Sequence, residues 1–195
     1  MKNIVVFASG SGSNFQSIID AIQTGKLHAR ITGLISNKEG IKALERASNN
    51  SIPTAILSVK DFNSIEEYSN TLLEQLFEWD ADIIVLAGFL RKIPSSVIQA
   101  YQNRILNIHP SLLPKYGGKG FYGLNVHKAV IESGDTVSGC TIHLVSEKYD
   151  EGPILDQIEV PVLDNDTPEE LAARILEKEH ELYPIVISDY LKTLN

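Results

Sequence analysis

Residues 3–22 read NIVVFASGSGSNFQSIIDAI. Asn3 to Ser9 is a continuous apolar run with β-branched Ile4, Val5 and Val6, the pattern of a strand buried on both faces. Gly10 to Asn14 break it, and Phe15, Ile18, Ile19 and Ile22 follow at helical spacing, with Gly25 marking the helix end. A buried strand that turns through glycine and serine directly into an amphipathic helix is the opening unit of an α/β sheet.

The alternation continues along the chain. Strands are expected at Arg30 to Ser36, Pro53 to Leu57, Asp82 to Phe89 and Arg104 to His109. Between them lie a helix over residues 40–50, an amphipathic helix from Ser64 to Trp79, and a short helix opened by Pro94. Tyr68, Leu72, Leu73, Leu76 and Phe77 should face inward from the second of these. The pattern predicts a Rossmann-like α/β fold, a mostly parallel twisted sheet with helices on both faces. The last third changes character. Ser138 to Ser146 and Pro153 to Val162 read as two strands with a turn between them. Thr167 then caps a long helix, with Pro168 at its first position and Glu170 completing a capping box. This adds a C-terminal β-β-α segment. One domain is expected over residues 1–195, with a phosphate-binding half at about 1–100 and a catalytic half at about 101–195.

Composition narrows the class. At 195 residues, 43 % hydrophobic and 22 % charged, the chain reads as a globular domain. A chain of this length buries roughly 70 % of its unfolded surface. The formal charge of −8 argues against a general nucleic-acid binder, which needs a basic face. The single cysteine, Cys140, excludes an internal disulfide and suits a reducing compartment. No stretch is apolar enough to span a bilayer, and the opening residues do not form a signal peptide. A cytoplasmic location is expected.

Gly10-Ser11-Gly12-Ser13-Asn14 lies where the amides of a helix N-terminus can receive an anion. A phosphate or another anion is the expected occupant, and a plain turn capped by Ser13 or Asn14 is the alternative. The loop is a poor dinucleotide fingerprint, because Phe15 stands where the third glycine belongs and the second strand ends in Ser36-Asn37-Lys38 without a carboxylate. No G-K-[ST] closes it as a nucleotide P-loop.

A second stretch carries chemistry: LNIHPSLLPKYGGKG, residues 106–120. Side chains alternate along a strand, so Asn107 and His109 share one face and Leu106 and Ile108 the other. Pro110 ends the pairing, which puts both polar groups at the carboxyl end of a strand, where α/β proteins place ligands. Asn107 can donate to a developing oxyanion, and His109 can serve as acid, base or cationic donor. Asp150, in the turn KYDEGPI, would orient His109 and raise its pKa if that turn folds over the sheet end.

His109, His127, His143 and Asp150 are the available metal ligands, but no HExxH or CxxC pattern joins them, and His143 reads as an ordinary strand residue. No metal is expected. Ser111 is not in a nucleophile elbow. On the final helix Leu171, Ile175, Leu182, Val186 and Tyr190 form an apolar stripe, and Glu179 falls within it. Glu179 is either a solvated edge residue or a carboxylate placed to meet a cationic amine.

ASGSGSN after the first strand, LAGFLRKI, NIHPSLLPKY and YDEGPI occur in an order that resembles the phosphoribosylglycinamide formyltransferase family, from Met1 to about Leu191. The resemblance implies the formyltransferase fold and transfer of a formyl group from 10-formyltetrahydrofolate to the glycinamide ribonucleotide amine in purine synthesis. It implies Asn107, His109 and Asp150 as catalytic residues, with His109 held charged by Asp150. It places the substrate phosphate on Gly12, Ser13 and Asn14 and the amine near Glu179. It places the folate against Leu86, Leu90, Arg91, Lys92, Ile93, Val97, Ile105, Asn107, Ser146 and Glu147. Partners are then small molecules, without nucleic acid or membrane, and the chain is a monomer or homodimer.

Related enzymes that formylate methionyl-tRNA or hydrolyse formyltetrahydrofolate carry a further domain, for which 195 residues leave no room. A folate hydrolase, a sugar-nucleotide formyltransferase and a non-catalytic binder of a phosphorylated metabolite are the competing readings. The chain departs from common family members at Ile65, where a basic residue often meets the folate tail, and at Leu176, where a polar or basic one often approaches the phosphate. The segment Gly117 to Asn125 is longer than usual, with Lys119 as the candidate replacement charge.

Overall fold

The computed structural model describes residues 1–194. Seven strands form one sheet: β1 (Lys2–Ala8), β2 (Ala29–Ser36), β3 (Thr54–Ile56), β4 (Ile83–Leu86), β5 (Ile105–His109), β6 (Val137–Leu144) and β7 (Ile154–Pro161). The helices are α1 (Ser13–Gln23), α2 (Lys42–Asn49), α3 (Ile65–Glu78), α4 (Ser95–Ala100), α5 (Leu124–Ser133) and α6 (Pro168–Leu191). Strand order is β3-β2-β1-β4-β5-β6-β7. β1 to β5 are parallel, and β6 and β7 are antiparallel additions.

The apolar runs are continuous because alternate residues feed two different cores. Ile4, Val6, Ile83, Val85, Leu106 and Ile108 pack under α1 and α6. Val5, Phe7, Ile84, Leu86 and Ile105 face the other way, against Tyr68, Leu72 and Leu76 of α3 and Val97 of α4. Full burial of each such side chain contributes roughly 1.5–3 kcal/mol. This alternation fixes the faces of β5: Asn107 and His109 lie on the face of Ile105.

The chain departs from β1 in both directions, to β2 and β3 on one side and to β4 and β5 on the other. The reversal opens a crevice at the carboxyl ends of β1 and β4, where open α/β sheets bind ligands. Ser9 braces that crevice. Its hydroxyl donates to Asn37 Oδ1 at 2.6 Å and accepts from Leu90 N–H at 3.0 Å, joining the exits of three strands.

The predicted capping box is present. Thr167 Oγ1 accepts from Glu170 N–H, and Glu170 accepts from Thr167 N–H. Tyr183 pins α6 to the sheet, its hydroxyl 3.0 Å from Leu86 O and 3.1 Å from Leu106 O. One expectation needs correction. Phe77 is 66 % exposed and stacks on the outer side of the buried Tyr101. Helix α5, unread in the sequence, follows the glycine-rich segment. Its N-cap is Gly123, which offers no side-chain hydrogen bond.

Candidate active site

A cavity of about 750 Å³ runs along the crevice. The exits of β1, β4 and β5, the segment after β6, α5 and α6 all contribute to its wall. Asn107, His109 and Asp150 line it together, as do Gly12, Ser13, Asn14 and Glu179. Leu86, Leu90, Arg91, Lys92, Ile93, Ser146 and Glu147 complete the apolar and charged flank. Val97 and Ile105 do not line it. Both are fully buried in the core beneath, and Ile98, one residue along the helix, takes the wall position. Leu176 and Lys119 line the cavity, whereas Ile65 is 60 % exposed outside it.

β5 and β6 build the chemical centre. Their antiparallel register sets Asn107 opposite His143 and His109 opposite Thr141. Asn107 Nδ2 and His143 Nε2 are 3.0 Å apart, and His143 Nδ1 is 3.0 Å from Leu144 O. A carbonyl only accepts, so the His143 hydrogen sits on Nδ1 and Nε2 receives the Asn107 amide. One Asn107 N–H and its carbonyl oxygen remain for a ligand. His143 is therefore a member of the site, although its sequence context is that of any strand residue.

Asp150 reaches both histidines. Its Oδ2 is 3.7 Å from His109 Nδ1 and its Oδ1 is 3.5 Å from His143 Nε2. Burial pushes the Asp150 carboxyl up, but His143 and His109 in their protonated forms, together with the Gly118 N–H, outweigh it and hold it below the ordinary carboxylate range. The Gly118 amide donates to Oδ2 at 2.8 Å. For His109 the balance differs from the sequence expectation. Burial lowers its pKa, Asp150 and the Tyr116 carbonyl pull it upward, and burial wins. Burial thus favours neutral His109, with Asp150 positioned to stabilise a proton once it arrives.

The corner after His109 is tied down by a buried network. Thr141 Oγ1 donates to Ser111 O at 2.6 Å and accepts from Leu113 N–H at 3.0 Å and from Gln157 Nε2 at 2.7 Å. Ser111 Oγ donates to Lys115 O at 2.6 Å. These bonds hold HPSLLPKY as a rigid exit, so His109 is presented on a fixed strand end.

At the other end of the cavity Gly12 caps α1 in the left-handed region, φ 68°. A Cβ there would meet Ala43 Cβ at 2.7 Å, so only glycine lets the loop lie against α2. Glu179 is 6 % exposed and accepts from Asn14 Nδ2 at 2.7 Å, which removes the reading as a solvated edge. Burial pushes its carboxyl up to about 7, against the Asn14 bond. His127, on α5, also lines the cavity. Burial, reinforced by His109, holds it at about 4, and its Nδ1 has no hydrogen-bond partner. His143 joins the site only through the register of β5 against β6. His127 has no local signal either, because α5 itself was not legible.

Among the described residues no helix is long and apolar enough to cross a membrane. Residues 2–187 match the profile of the family described as formyl transferase. A chloroplastic phosphoribosylglycinamide formyltransferase of Vigna unguiculata is 50 % identical over 95 % of this chain, and the Escherichia coli K12 phosphoribosylglycinamide formyltransferase 41 % over 95 %. The chain spans 60 % of the Vigna relative's length, 64 % of an Arabidopsis thaliana relative's and 85 % of the Escherichia coli one's. The crystal structure of phosphoribosylglycinamide formyltransferase from Bacillus halodurans superposes with a TM-score of 0.92 at 38 % identity, covering 100 % of this chain and 97 % of that one. A Brucella melitensis structure of the same name gives 0.89 at 43 %, covering 97 % of this chain and 95 % of that one. With the profile covering nearly its whole length, the chain belongs to the formyl transferase family.

Proposed function

We propose that the protein transfers the formyl group of 10-formyltetrahydrofolate to the amine of N1-(5-phospho-D-ribosyl)glycinamide, a step of purine synthesis. The observation that carries this reading is the placement of Asn107, His109 and Asp150 in one cavity with the glycine loop and Glu179. A phosphorylated amine anchored at Gly12 to Asn14 and a folate against Leu86 to Ile93 would meet at Asn107 and His109.

The chemistry follows from the donors present. The amine attacks the formyl carbon, and the carbonyl oxygen becomes an oxyanion that accepts from the free Asn107 N–H. The nitrogen loses a proton as the bond forms, and neutral His109 takes it. The resulting imidazolium beside Asp150 stabilises the tetrahedral intermediate and then protonates the departing folate nitrogen. One proton thus moves from amine to leaving group, and the residues finish as they began. No step needs a metal or a covalent enzyme adduct. The proposed location is the cytoplasm.

The test supplies 10-formyltetrahydrofolate with and without the glycinamide ribonucleotide. Acceptor-dependent release of tetrahydrofolate is expected in the wild type, and loss of about 10²- to 10⁴-fold in His109→Ala. Acceptor-independent release would make the protein a hydrolase. A folded His109→Ala that transfers formyl groups normally would remove His109 from the chemistry.

A further inference from the structure

The segment from Tyr116 to Gly118 grips both members of the His109–Asp150 pair. The Tyr116 carbonyl lies 2.8 Å from His109 Nε2, and the Gly118 N–H donates to Asp150 Oδ2 at 2.8 Å. Tyr116 adopts φ 54°, a left-handed conformation that a bulky residue keeps only when its surroundings hold it there. Beside the Ser111–Lys115 bond, its own phenol supplies one anchor. The hydroxyl donates toward Asp135 Oδ2 at 2.9 Å, with Ser133 Oγ alongside, while the Ser133 hydroxyl itself donates to Val130 O at 2.7 Å. Asp135 also accepts from Lys115 Nζ at 2.9 Å. A latch at the end of α5 therefore governs a backbone carbonyl in the catalytic centre.

We propose that Tyr116, held by Asp135, is a positioning residue that fixes the tautomer of His109, with the hydrogen on Nε2 and the reactive lone pair on Nδ1. A carbonyl accepts and never donates, so Nε2 keeps its hydrogen whether the ring is neutral or charged. The neutral ring then aims the Nδ1 lone pair toward Asp150, 3.7 Å away. Lone pair against carboxylate is repulsive, and a proton arriving on Nδ1 turns that repulsion into an ion pair. Without the latch the ring gains a competing arrangement, in which an Nδ1–H donates to Asp150 and no lone pair is left facing the carboxylate. Three titratable groups face the ring: Asp150 from the segment after β6, His143 from β6 and His127 from α5.

The kinetic consequence rests on the proposed formyl transfer, but the tautomer does not. ¹⁵N NMR of histidine-labelled protein, with His109 assigned by its loss in His109→Gln, should show the Nε2–H form in the wild type at high pH. Tyr116→Phe and Asp135→Asn should each introduce the Nδ1–H form. In both, kcat should fall by up to about 10²-fold, while KM for both substrates stays within about twofold. The acidic limb of the kcat profile should move to lower pH, because the carbonyl that supports the cation is displaced. An Nδ1–H tautomer in the wild type overturns the proposal. So does a folded Tyr116→Phe or Asp135→Asn with unchanged tautomer, kcat and pH profile. If Tyr116→Phe fails to fold, Asp135→Asn and the wild-type spectrum still decide. A wild type that shows the Nε2–H form but transfers no formyl group would instead sink the functional reading.

Discussion

Asn14 Nδ2 donates to Glu179 Oε2 at 2.7 Å, tying the loop at the start of α1 to the middle of α6. The other polar atom of this amide, Asn14 Oδ1, is buried without a partner. The pair thus holds an unused acceptor and a titrating carboxyl beside the glycine loop, and both residues line the cavity. A buried acceptor without a partner costs free energy and gives a hydrogen-bond donor a reason to bind there.

Glu179 gives stability a pH dependence of known sign. Its pKa rises from 4.5 in the unfolded chain to about 7 in the fold. Over that interval the folded protein holds a proton that the unfolded chain has released. Stability is therefore fully present below about 4.5 and falls as pH rises through about 7, by up to about 3 kcal/mol. Glu179→Gln cannot ionise and should lose this slope. Urea denaturation at about pH 5 and about pH 8 checks it: the variant should gain on the wild type at the higher pH. Parallel pH dependence in the two proteins would show that Glu179 is not charged at cost.

His127 slopes the other way. Its pKa falls from 6.5 to about 4 on folding, so the unfolded chain binds the extra proton between those values. Stability should decline as pH drops from about 6.5 toward about 4, again by up to about 3 kcal/mol. The two groups oppose each other over most of the same window, so the wild type understates both. His127→Gln should leave the Glu179 slope uncompensated, so the variant should gain on the wild type as pH falls from about 6.5 toward about 4, while near pH 8 the two differ only by packing. Parallel acid sides in the two proteins would contradict the buried neutral imidazole.

Gly12→Ala tests the loop as an anion seat. The new Cβ would meet Ala43 Cβ at 2.7 Å and Ala43 Cα at 2.9 Å, at a φ that L-residues avoid. A loss of about 1–3 kcal/mol in stability is expected from the backbone strain. Displaced amides should raise KM for the phosphorylated substrate with kcat little changed. A drop in kcat with unaltered KM would place Gly12 in the chemistry instead of the binding.

Much of this was readable in order along the chain, and the omissions share a cause. The two-residue period put Asn107 and His109 on one face without any tertiary information, and the capping box at Thr167 is a local bond pattern. His143 joins them only through the register of an antiparallel pair, which local sequence does not encode. Glu179 left two readings open because a helix stripe says which face is inward but not what Asn14, 165 residues away, offers it. Val97 and Ile98 are neighbours on α4, and the choice of which one reaches the cavity is a matter of helix rotation. Helix α5 begins at a glycine without a side-chain cap, so its start carried no signal. The net pKa of His109 depends on burial against a carboxylate, a competition of magnitudes that motif spacing cannot weigh.

One hydroxyl joins three segments at the His109 corner. Thr141 is fully buried, and its Oγ1 serves Ser111 O, Leu113 N–H and Gln157 Nε2 at once. Thr141→Val keeps shape and volume but leaves the Leu113 N–H and the Ser111 carbonyl short of a partner in the interior. Losing those bonds should cost about 2–4 kcal/mol. Thr141→Ser keeps the hydroxyl and gives up one methyl, which should cost about 1 kcal/mol. Chemical denaturation of the two variants separates the terms: valine should be the more damaging, although it is the better packed. Because the loosened corner carries His109, kcat should follow the same order. Serine proving the worse substitution would mean that methyl packing, and not the hydrogen-bond network, holds the strand exit in place.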